Sequence, residues 1–78
     1  MSNRIVNTSG HTGIVEFFDP LKGVGYIKTQ EGNSIAIEYK DLPIKDGQFV
    51  LLRKNQKVMF DIYMGEMGAQ AKNITIIK

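Results

Sequence analysis

Three aromatic residues lie in short β-type runs, close to lysines. Tyr26 lies in "VGYIK" between Lys22 and Lys28, Phe17 is near the end of "GIVEFF", and Tyr39 ends "SIAIEY". Side chains alternate between the faces of a strand, so Tyr26 shares an outer face with Lys28. Outward rings on adjacent strands can stack on the bases of single-stranded nucleic acid, with lysines meeting the phosphates. The alternative, that these tyrosines are ordinary half-exposed strand residues, is equally compatible with the residue types.

The run "KGVGYIK", residues 22–28, also raises the possibility of a glycine-rich phosphate loop. It lacks the third glycine of G-x-G-x-x-G, whose place Lys28 takes, and no helix follows to offer its N-terminus to a pyrophosphate. We therefore reject a phosphate loop. Gly23 and Gly25 are better explained by a tight bend and a close strand crossing in a small barrel.

Metal chemistry and catalysis lack the residues that they need. The chain contains no cysteine and one histidine, His11, so it cannot build a zinc site. Glu16, Asp19 and Glu38 are candidates for one face, where paired carboxylates do acid–base work or hold a hard cation. No convergent nucleophile accompanies them, and so small a barrel offers no deep pocket. We predict no cofactor, no metal site and no enzymatic activity, and we expect His11 to be solvated.

Length and composition predict one small domain of ordinary globular type, with 78 residues, 42% hydrophobic and 23% charged. The net charge of +2 favours an anionic partner weakly, but the charge is uneven. Residues 13–40 have a net charge of −1, whereas residues 45–57 have a net charge of +3. No signal-peptide run is present, and no segment has the ~20 apolar residues of a membrane span. We expect a soluble, cytoplasmic protein without a membrane partner.

Five β-type runs separated by Gly, Asn and Asp predict an all-β fold, as a small sandwich or barrel. The runs cover residues 13–18, 24–28, 34–39, 57–64 and 69–78. In the fourth run Val58, Phe60 and Ile62 share one face, which we assign to the core. Five short antiparallel strands with one long connection favour a closed or nearly closed barrel, because closure removes exposed sheet edges.

Two segments lie outside these strands. Residues 1–12 are polar with little to bury, so we predict a flexible N-terminal arm, followed by one domain over residues 13–78. The connection over residues 40–56 is longer than a hairpin needs, and long connections in compact domains are often functional. Its "FVLL" is expected to form a short strand or turn that packs on the end of the barrel.

Four motifs follow one another along the chain: "GIVEFFDPLKGVGYI", "SIAIEY", "NQKVMFDI" and "GEMGAQAKNIT". Their order and spacing resemble those of the bacterial cold-shock proteins and the cold-shock domain of Y-box proteins. In that family the matching motifs are G-K-V-K-W-F-N with K-G-F-G-F-I, V-F-V-H-F, G-Q-K-V-x-F-x-I and G-N-R-G-P-Q-A-x-N-V-T. The resemblance covers about residues 13–76. It implies a five-stranded antiparallel OB-type barrel that binds single-stranded RNA or DNA, often as a chaperone that melts weak RNA structure.

The resemblance also assigns the stacking positions. Phe17 stands where the family usually has tryptophan, Tyr26 and Tyr39 replace phenylalanines, and Phe49 matches a loop phenylalanine that contacts bases. All four rings can still stack on bases. Lys22 keeps the family pattern.

Departures from the family fall on the same face. Val24 and Ala36 stand in the places of two central phenylalanines, and neither side chain can stack. At about 1–3 kcal/mol per stacked base, two lost partners cost about 2–6 kcal/mol of binding energy. Glu38 replaces a histidine, and Glu16 and Asp19 occupy places that are commonly lysine and asparagine, so the face gains repulsion for phosphates.

We predict binding of single-stranded nucleic acid, RNA before DNA, by a cold-shock-like RNA chaperone or regulator of gene expression with a weakened aromatic platform. The alternative is a protein-interaction or regulatory module of the same fold that has lost nucleic-acid binding and has a protein partner. We expect a monomer, with a homodimer through the apolar patch as a third hypothesis. The excess positive charge after residue 45 offers a second binding edge. The predicted contact residues are Phe17, Lys22, Tyr26, Lys28, Tyr39, Phe49, Arg53, Lys54 and Lys57.

Overall fold

The computed structural model describes residues 8–77, which form a closed barrel with the strand order β1-β2-β3-β7-β6. The barrel strands are β1 (Thr8–Asp19), β2 (Val24–Thr29), β3 (Ser34–Glu38), β6 (Lys57–Gly65) and β7 (Gly68–Ile77). Between β3 and β6 lie a 3-10 turn (Tyr39–Asp41) and a small hairpin of β4 (Ile44–Lys45) and β5 (Gln48–Phe49). The predicted all-β, five-stranded barrel is confirmed.

One neighbouring pair in the barrel differs from the antiparallel pattern. β3 and β7 run parallel and pair only at Ala36 and Gln70, whereas the other four neighbouring pairs are antiparallel. A ring with an odd number of strands cannot alternate direction at every step, so one pair must be parallel. In this chain that pair is the seam that closes the barrel.

Strand β1 contains a bulge that decides where its aromatic residues point. Val15 pairs with Ile27 and Phe17 with Tyr26, so Glu16 has no residue opposite it on β2. Val15 is fully buried, whereas Phe17 is 47% exposed. If the same residues formed a regular strand without a bulge, alternation from Val15 would turn Phe17 inward. Of the two adjacent phenylalanines Phe17 and Phe18, the bulge therefore turns Phe17 to the outer face.

The bulge is held from two sides. The backbone amide of Val15 donates to the Gln56 carbonyl (2.9 Å), and the Val15 carbonyl accepts from the amide of Asn55 (2.8 Å). On the other side, a Cβ at Gly25 would lie 2.7 Å from the Cα of Phe18 and closer still to the Phe17 carbonyl. Gly25 is therefore the residue that lets β2 approach the bulged strand.

The core is built from the inward faces of all five barrel strands. Val58, Phe60 and Ile62 are buried as predicted, together with Ile27 and Ile37. Ala36 corrects an expectation: alternation places it on the outer face with Tyr26, yet only 4% of it is exposed. Its short side chain lies between Tyr26 and Gln70 on the adjacent strands. Ala36 is therefore covered by its neighbours and offers no surface that a ligand could contact.

The connection after β3 is more ordered than its loop composition indicates. Leu42 and Leu52, which flank the β4–β5 hairpin, are each 4% exposed and belong to the core cluster. Of the predicted "FVLL" segment, Phe49 lies in β5 and Leu52 packs into the barrel, in agreement with the expected short strand or turn. This connection therefore closes one end of the core.

The N-terminal part of β1 is longer than the sequence indicates. We placed a flexible arm over residues 1–12, but β1 begins at Thr8 and pairs with β6 at Thr8, His11 and Thr12. Residues 1–7 lie outside the described part, so their predicted flexibility stays a prediction. His11 is half-buried and stacks on Phe60 with ring centroids 5.9 Å apart, so the expectation that it is solvated is wrong.

A buried carboxylate joins the connection to the seam. Asp41, 6% exposed, accepts hydrogen bonds from the Tyr63 hydroxyl (2.7 Å), the Gln70 amide nitrogen (2.9 Å) and the backbone amide of Glu38 (2.9 Å). The Gln70 side-chain carbonyl accepts in turn from the Met67 amide. This group, which we call the Asp41 network, links β3, the 3-10 turn, β6 and β7.

The network predicts a loss of stability at alkaline pH. Burial raises the pKa of Tyr63 above its ordinary value of 10.0, and the hydrogen bond to Asp41 acts in the same direction. A raised folded-state pKa gives stability that is complete below the ordinary value and is lost as pH rises through the folded-state value. The difference in free energy of unfolding between wild type and Tyr63→Phe should be constant up to about pH 10 and then shrink.

Urea unfolding from neutral pH to beyond pH 10 measures this difference. Tyr26→Phe is the control for the loss of one phenol from the outer surface. A wild-type advantage over Tyr63→Phe that stays level or grows above pH 10 would contradict the role given to Tyr63.

Among residues 8–77 there is no helix with the length and apolar character needed to cross a membrane.

Candidate nucleic-acid interface

The outer face of β2 and its neighbours presents one aromatic pair. Phe17 on β1 lies directly opposite Tyr26 on β2, and their ring centroids are 5.6 Å apart with planes inclined by 54°. Phe17 is 47% exposed and Tyr26 is half-buried. This Phe17–Tyr26 pair is the part of the predicted platform in which two rings on adjacent strands face solvent together.

A second aromatic group lies at the start of the long connection. The Tyr39 ring contacts Phe18 edge-on, at 5.5 Å between centroids, and Phe49 at 6.0 Å. The Tyr39 hydroxyl donates to the Pro20 carbonyl, and the ring packs on Gly23, where a Cβ would lie 2.6 Å from it. Tyr39 and Phe49 are both partly exposed. The glycine of the β1–β2 turn therefore makes room for the ring.

Two lysines lie in the next row along the strands from the aromatic pair. Ile14 on β1 pairs with Lys28 on β2 and with Lys57 on β6, and all three side chains are exposed. Antiparallel partners share a face, so the two lysines point outward on either side of Ile14, about 10 Å apart across two strand spacings. Lys28 lies one two-residue step, about 7 Å, from Tyr26. We call Lys28 and Lys57 the lysine pair.

Acidic side chains border the same surface. Glu16, at the bulge, lies 3.9 Å from the Lys28 ammonium and accepts a hydrogen bond from the Ser34 hydroxyl (3.1 Å). In the adjacent row Val24 lies between Asp19 on β1 and Glu38 on β3. Asp19 accepts from the backbone amides of residues 21 and 22, and Glu38 pairs with Lys40 at 3.6 Å.

These carboxylates do not form the acid–base or cation site considered from the sequence. No group of three or more potential metal ligands occurs within the described residues 8–77. Glu16, Asp19 and Glu38 each engage different partners. Their effect on the surface is therefore electrostatic: they partly neutralise the lysines and repel phosphates.

The nine predicted contact residues fall into four places. Phe17, Tyr26, Lys28 and Lys57 adjoin one another, and Tyr39 and Phe49 form the second aromatic group. Lys22 lies in the exposed β1–β2 turn, next to the Gly23 that supports Tyr39.

The remaining predicted residues, Arg53 and Lys54, lie in the turn before β6, whose backbone is hydrogen-bonded to the β1 bulge. Phe18 and Ile14 were not predicted to belong to the surface. The only signal for Phe18 is the Phe-Phe sequence, in which the side chain that does not face outward supports Tyr39 from the inside.

The model of the 'Cold-shock' DNA-binding domain family matches residues 11–77, which is almost the whole described chain. The chain belongs to this family. The Major cold shock protein of Streptococcus pyogenes serotype M1 is 38% identical over 63 residues, 81% of this chain and 91% of the relative. Cold shock protein CspC of Bacillus subtilis is 36% identical over 62 residues, covering 80% and 91%. Cold shock protein CapB of Pseudomonas fragi is 34% identical over 77 residues, covering 99% and 100%.

Membership in the cold-shock family supports nucleic-acid binding by this barrel. It also identifies the outer-face positions at which this chain lacks the aromatic residues implied by the resemblance. Val24, half-buried between Asp19 and Glu38, and Ala36, covered between Tyr26 and Gln70, occupy the two positions at which the resemblance implied central rings. The cold-shock domain here therefore has one exposed ring pair on the sheet and a separate aromatic group at the long connection.

Proposed function

We propose that the protein binds single-stranded nucleic acid, with RNA as the cellular ligand, through the Phe17–Tyr26 pair and the lysine pair. The proposal rests on one observation: two outward rings on neighbouring strands lie next to Lys28 and Lys57. Bases have a π-face whatever their identity, and stacking on an aromatic side chain contributes about 1–3 kcal/mol per base. The proposed activity is binding without catalysis, in the cytoplasm, as an RNA chaperone or a regulator of gene expression.

The binding mode follows from the layout of the surface. A base on Phe17 or Tyr26 places its sugar-phosphate backbone within reach of Lys28 and Lys57, which lie one step along the strands. A further base can stack on Tyr39 or Phe49, beside Lys22 in the β1–β2 turn. Arg53 and Lys54, in the turn that is bonded to the bulge, add positive potential at the edge. The contacts are to base faces and phosphates, which favours weak sequence selectivity.

We further propose that the affinity is lower than that of relatives with a complete aromatic platform. Val24 and Ala36 offer no stacking surface, and at about 1–3 kcal/mol per base their loss weakens binding by about 2–6 kcal/mol. Asp19 and Glu38 add negative charge on both sides of Val24. The remaining rings and lysines support binding that is measurable at low ionic strength.

Titration of oligouridine RNA and oligothymidine DNA, followed by fluorescence anisotropy and by amide NMR shifts, tests this function. We expect saturable binding at about 20 mM KCl that weakens linearly in log Kd against log salt. The shifts should centre on β1 and β2 around Phe17 and Tyr26, with RNA bound at least as tightly as DNA. Absence of binding to either strand at low salt would refute the proposal.

The alternative function, a protein-interaction module of the same fold, is favoured by one observation. The row of Asp19, Val24 and Glu38 is apolar at its centre and acidic at both ends, which suits a basic, apolar segment of another protein. A protein partner retained after nuclease treatment, together with no oligonucleotide binding, would support this alternative.

Glu16→Gln is expected to tighten oligonucleotide binding. The substitution removes the carboxylate that lies 3.9 Å from Lys28 and keeps an acceptor for the Ser34 hydroxyl. An exposed ion pair is worth about 0.2–1 kcal/mol, so the gain should be roughly 1.5- to 5-fold in Kd at low salt. Glu31→Gln, which removes one exposed charge in the β2–β3 turn, is the matched control. Equal gains in both variants would show a general charge effect and no local release of Lys28.

A further inference from the structure

A groove outside the proposed platform runs between the connection and β7. It has a volume of about 530 Å³ and is bordered by residues 40–44 on one side and by residues 72–75 on the other. Lys40 and Lys72 lie on opposite borders of this groove, which we call the Lys40–Lys72 groove. Leu42 and Ile74, two core residues, form part of its floor.

The two lysines converge on one aromatic ring. The Lys40 ammonium lies 5.6 Å and the Lys72 ammonium 5.4 Å from the centroid of the Tyr63 ring. Two cations are therefore held on a shared ring by cation–π attraction, at most about 11 Å apart. An anion that contacts both ammonium groups would relieve their mutual repulsion, so their charges make the groove electrostatically suited to a phosphate group.

The carboxylates near the groove do not compensate both lysines. Asp41 is the only acid that lines it, and its oxygens already accept three hydrogen bonds within the Asp41 network. Glu38 lies 3.6 Å from Lys40, but both side chains are solvent-accessible, so the pair is weak. Asp61, opposite Lys72 on β6, accepts a hydrogen bond from the Asn73 side chain.

The groove adjoins the proposed path of the nucleic acid. Lys40 directly follows Tyr39, the first residue of the 3-10 turn, and the Tyr39 ring contacts Phe49. A strand that stacks on Tyr39 or Phe49 and continues past this turn would reach Lys40, which borders the groove. We propose that the Lys40–Lys72 groove binds the phosphodiester backbone of the same strand beyond the aromatic residues. The proposal rests on the proposed function and extends its binding surface to a second face of the barrel.

The proposal predicts a dependence on ligand length. A trinucleotide occupies the aromatic residues alone, whereas a strand of about nine nucleotides, within the range that one OB barrel covers, also reaches the groove. Each phosphate neutralised by a lysine adds about 0.7 to the slope of log Kd against log salt for single strands. The longer strand should therefore show a slope that is steeper by about 1.4, together with amide shifts at Lys40, Lys72 and Asn73 that the trinucleotide does not cause.

Substitution of both lysines tests the groove. Lys40→Met with Lys72→Met should remove the added slope of the longer oligouridine and weaken its binding by about 5- to 20-fold at low salt, because two phosphate contacts are lost. Binding of the trinucleotide should change less than about 2-fold. Lys40→Arg with Lys72→Arg keeps the charges and should retain most of the added slope. Lys45→Met, at an exposed lysine of β4 that does not line the groove, is the matched single-charge control.

The outcomes separate this proposal from the proposed function. An added slope that persists in the double methionine variant overturns the groove and leaves the platform intact. Binding of the longer strand that depends on Lys40 and Lys72, without trinucleotide binding, supports the groove and counts against the platform. Inorganic phosphate that causes the same shifts at Lys40 and Lys72, with no length effect for oligouridine, shows a free-anion site and refutes the strand path. No binding at any length overturns both.

Discussion

Phe17→Ala is expected to weaken oligonucleotide binding by about 1–3 kcal/mol, roughly 5- to 150-fold in Kd. The ring is 47% exposed and its main ring contact is Tyr26, so its removal takes away a stacking surface while the core stays filled. Urea unfolding should therefore change far less than binding. Anisotropy titration at low salt, where the wild-type affinity is highest, measures the loss.

Met59→Ala provides the matched control for this prediction. Met59 is 42% exposed on β6, so its truncation removes a similar share of exposed apolar surface without touching the Phe17–Tyr26 pair. We expect its oligonucleotide affinity to stay within about 2-fold of the wild type, since it offers no stacking surface. An equal loss in both variants would mean that Phe17 acts through general surface properties and not as a stacking partner.

Asp41→Ala is expected to lower the free energy of unfolding by about 3 kcal/mol or more. It leaves the Tyr63 hydroxyl and the Glu38 backbone amide without their acceptor and removes one of the two acceptors of the Gln70 amide, and each unsatisfied donor shielded from water costs about 1–3 kcal/mol. A 78-residue domain has a total stability of about 4–12 kcal/mol, so the variant loses a large share of it. Urea unfolding followed by tyrosine fluorescence measures the change.

Asp61→Ala separates this effect from the loss of any aspartate. Asp61 accepts one exposed hydrogen bond, from Asn73, and its truncation should cost less than about 1 kcal/mol. If Asp41→Ala unfolds no more easily than Asp61→Ala, the Asp41 network does not hold the connection to the seam. A retained barrel with altered amide shifts limited to the 3-10 turn would also contradict the predicted effect.

Local patterns were sufficient to predict the barrel. The alternation of Val58, Phe60 and Ile62 along β6 reports burial directly, because a half-buried strand exposes every second residue. The turn residues between the runs marked where one strand ends and the next begins, whereas the order of the strands in the barrel comes from the structure. The position of Tyr26 on the outer face followed from the same alternation and is confirmed, whereas its contact with nucleic acid stays a prediction.

Features that depend on contacts between distant parts of the chain could not be predicted from the sequence. The sequence around Asp41 indicates a solvated acid in a polar loop. Its hydrogen-bond partners Tyr63 and Gln70 lie 22 and 29 residues away in the chain, so local sequence does not predict them. Ala36 has the spacing of an exposed residue, yet its neighbours on the adjacent strands cover it. Neither burial is visible until the register between strands is known, because the covering side chains belong to other parts of the chain.

Because of the bulge at Glu16, the face on which Phe17 lies depends on the geometry of the strand as well as on the residue types. A regular strand with the same residues and no bulge would contain the same rings, yet alternation from Val15 would carry Phe17 inward and Phe18 outward. A count of aromatic residues therefore cannot tell whether a domain of this kind presents a stacking surface. Position 16 should tolerate many substitutions, and the presence of a bulge between Val15 and Phe17 is the feature to compare among related chains.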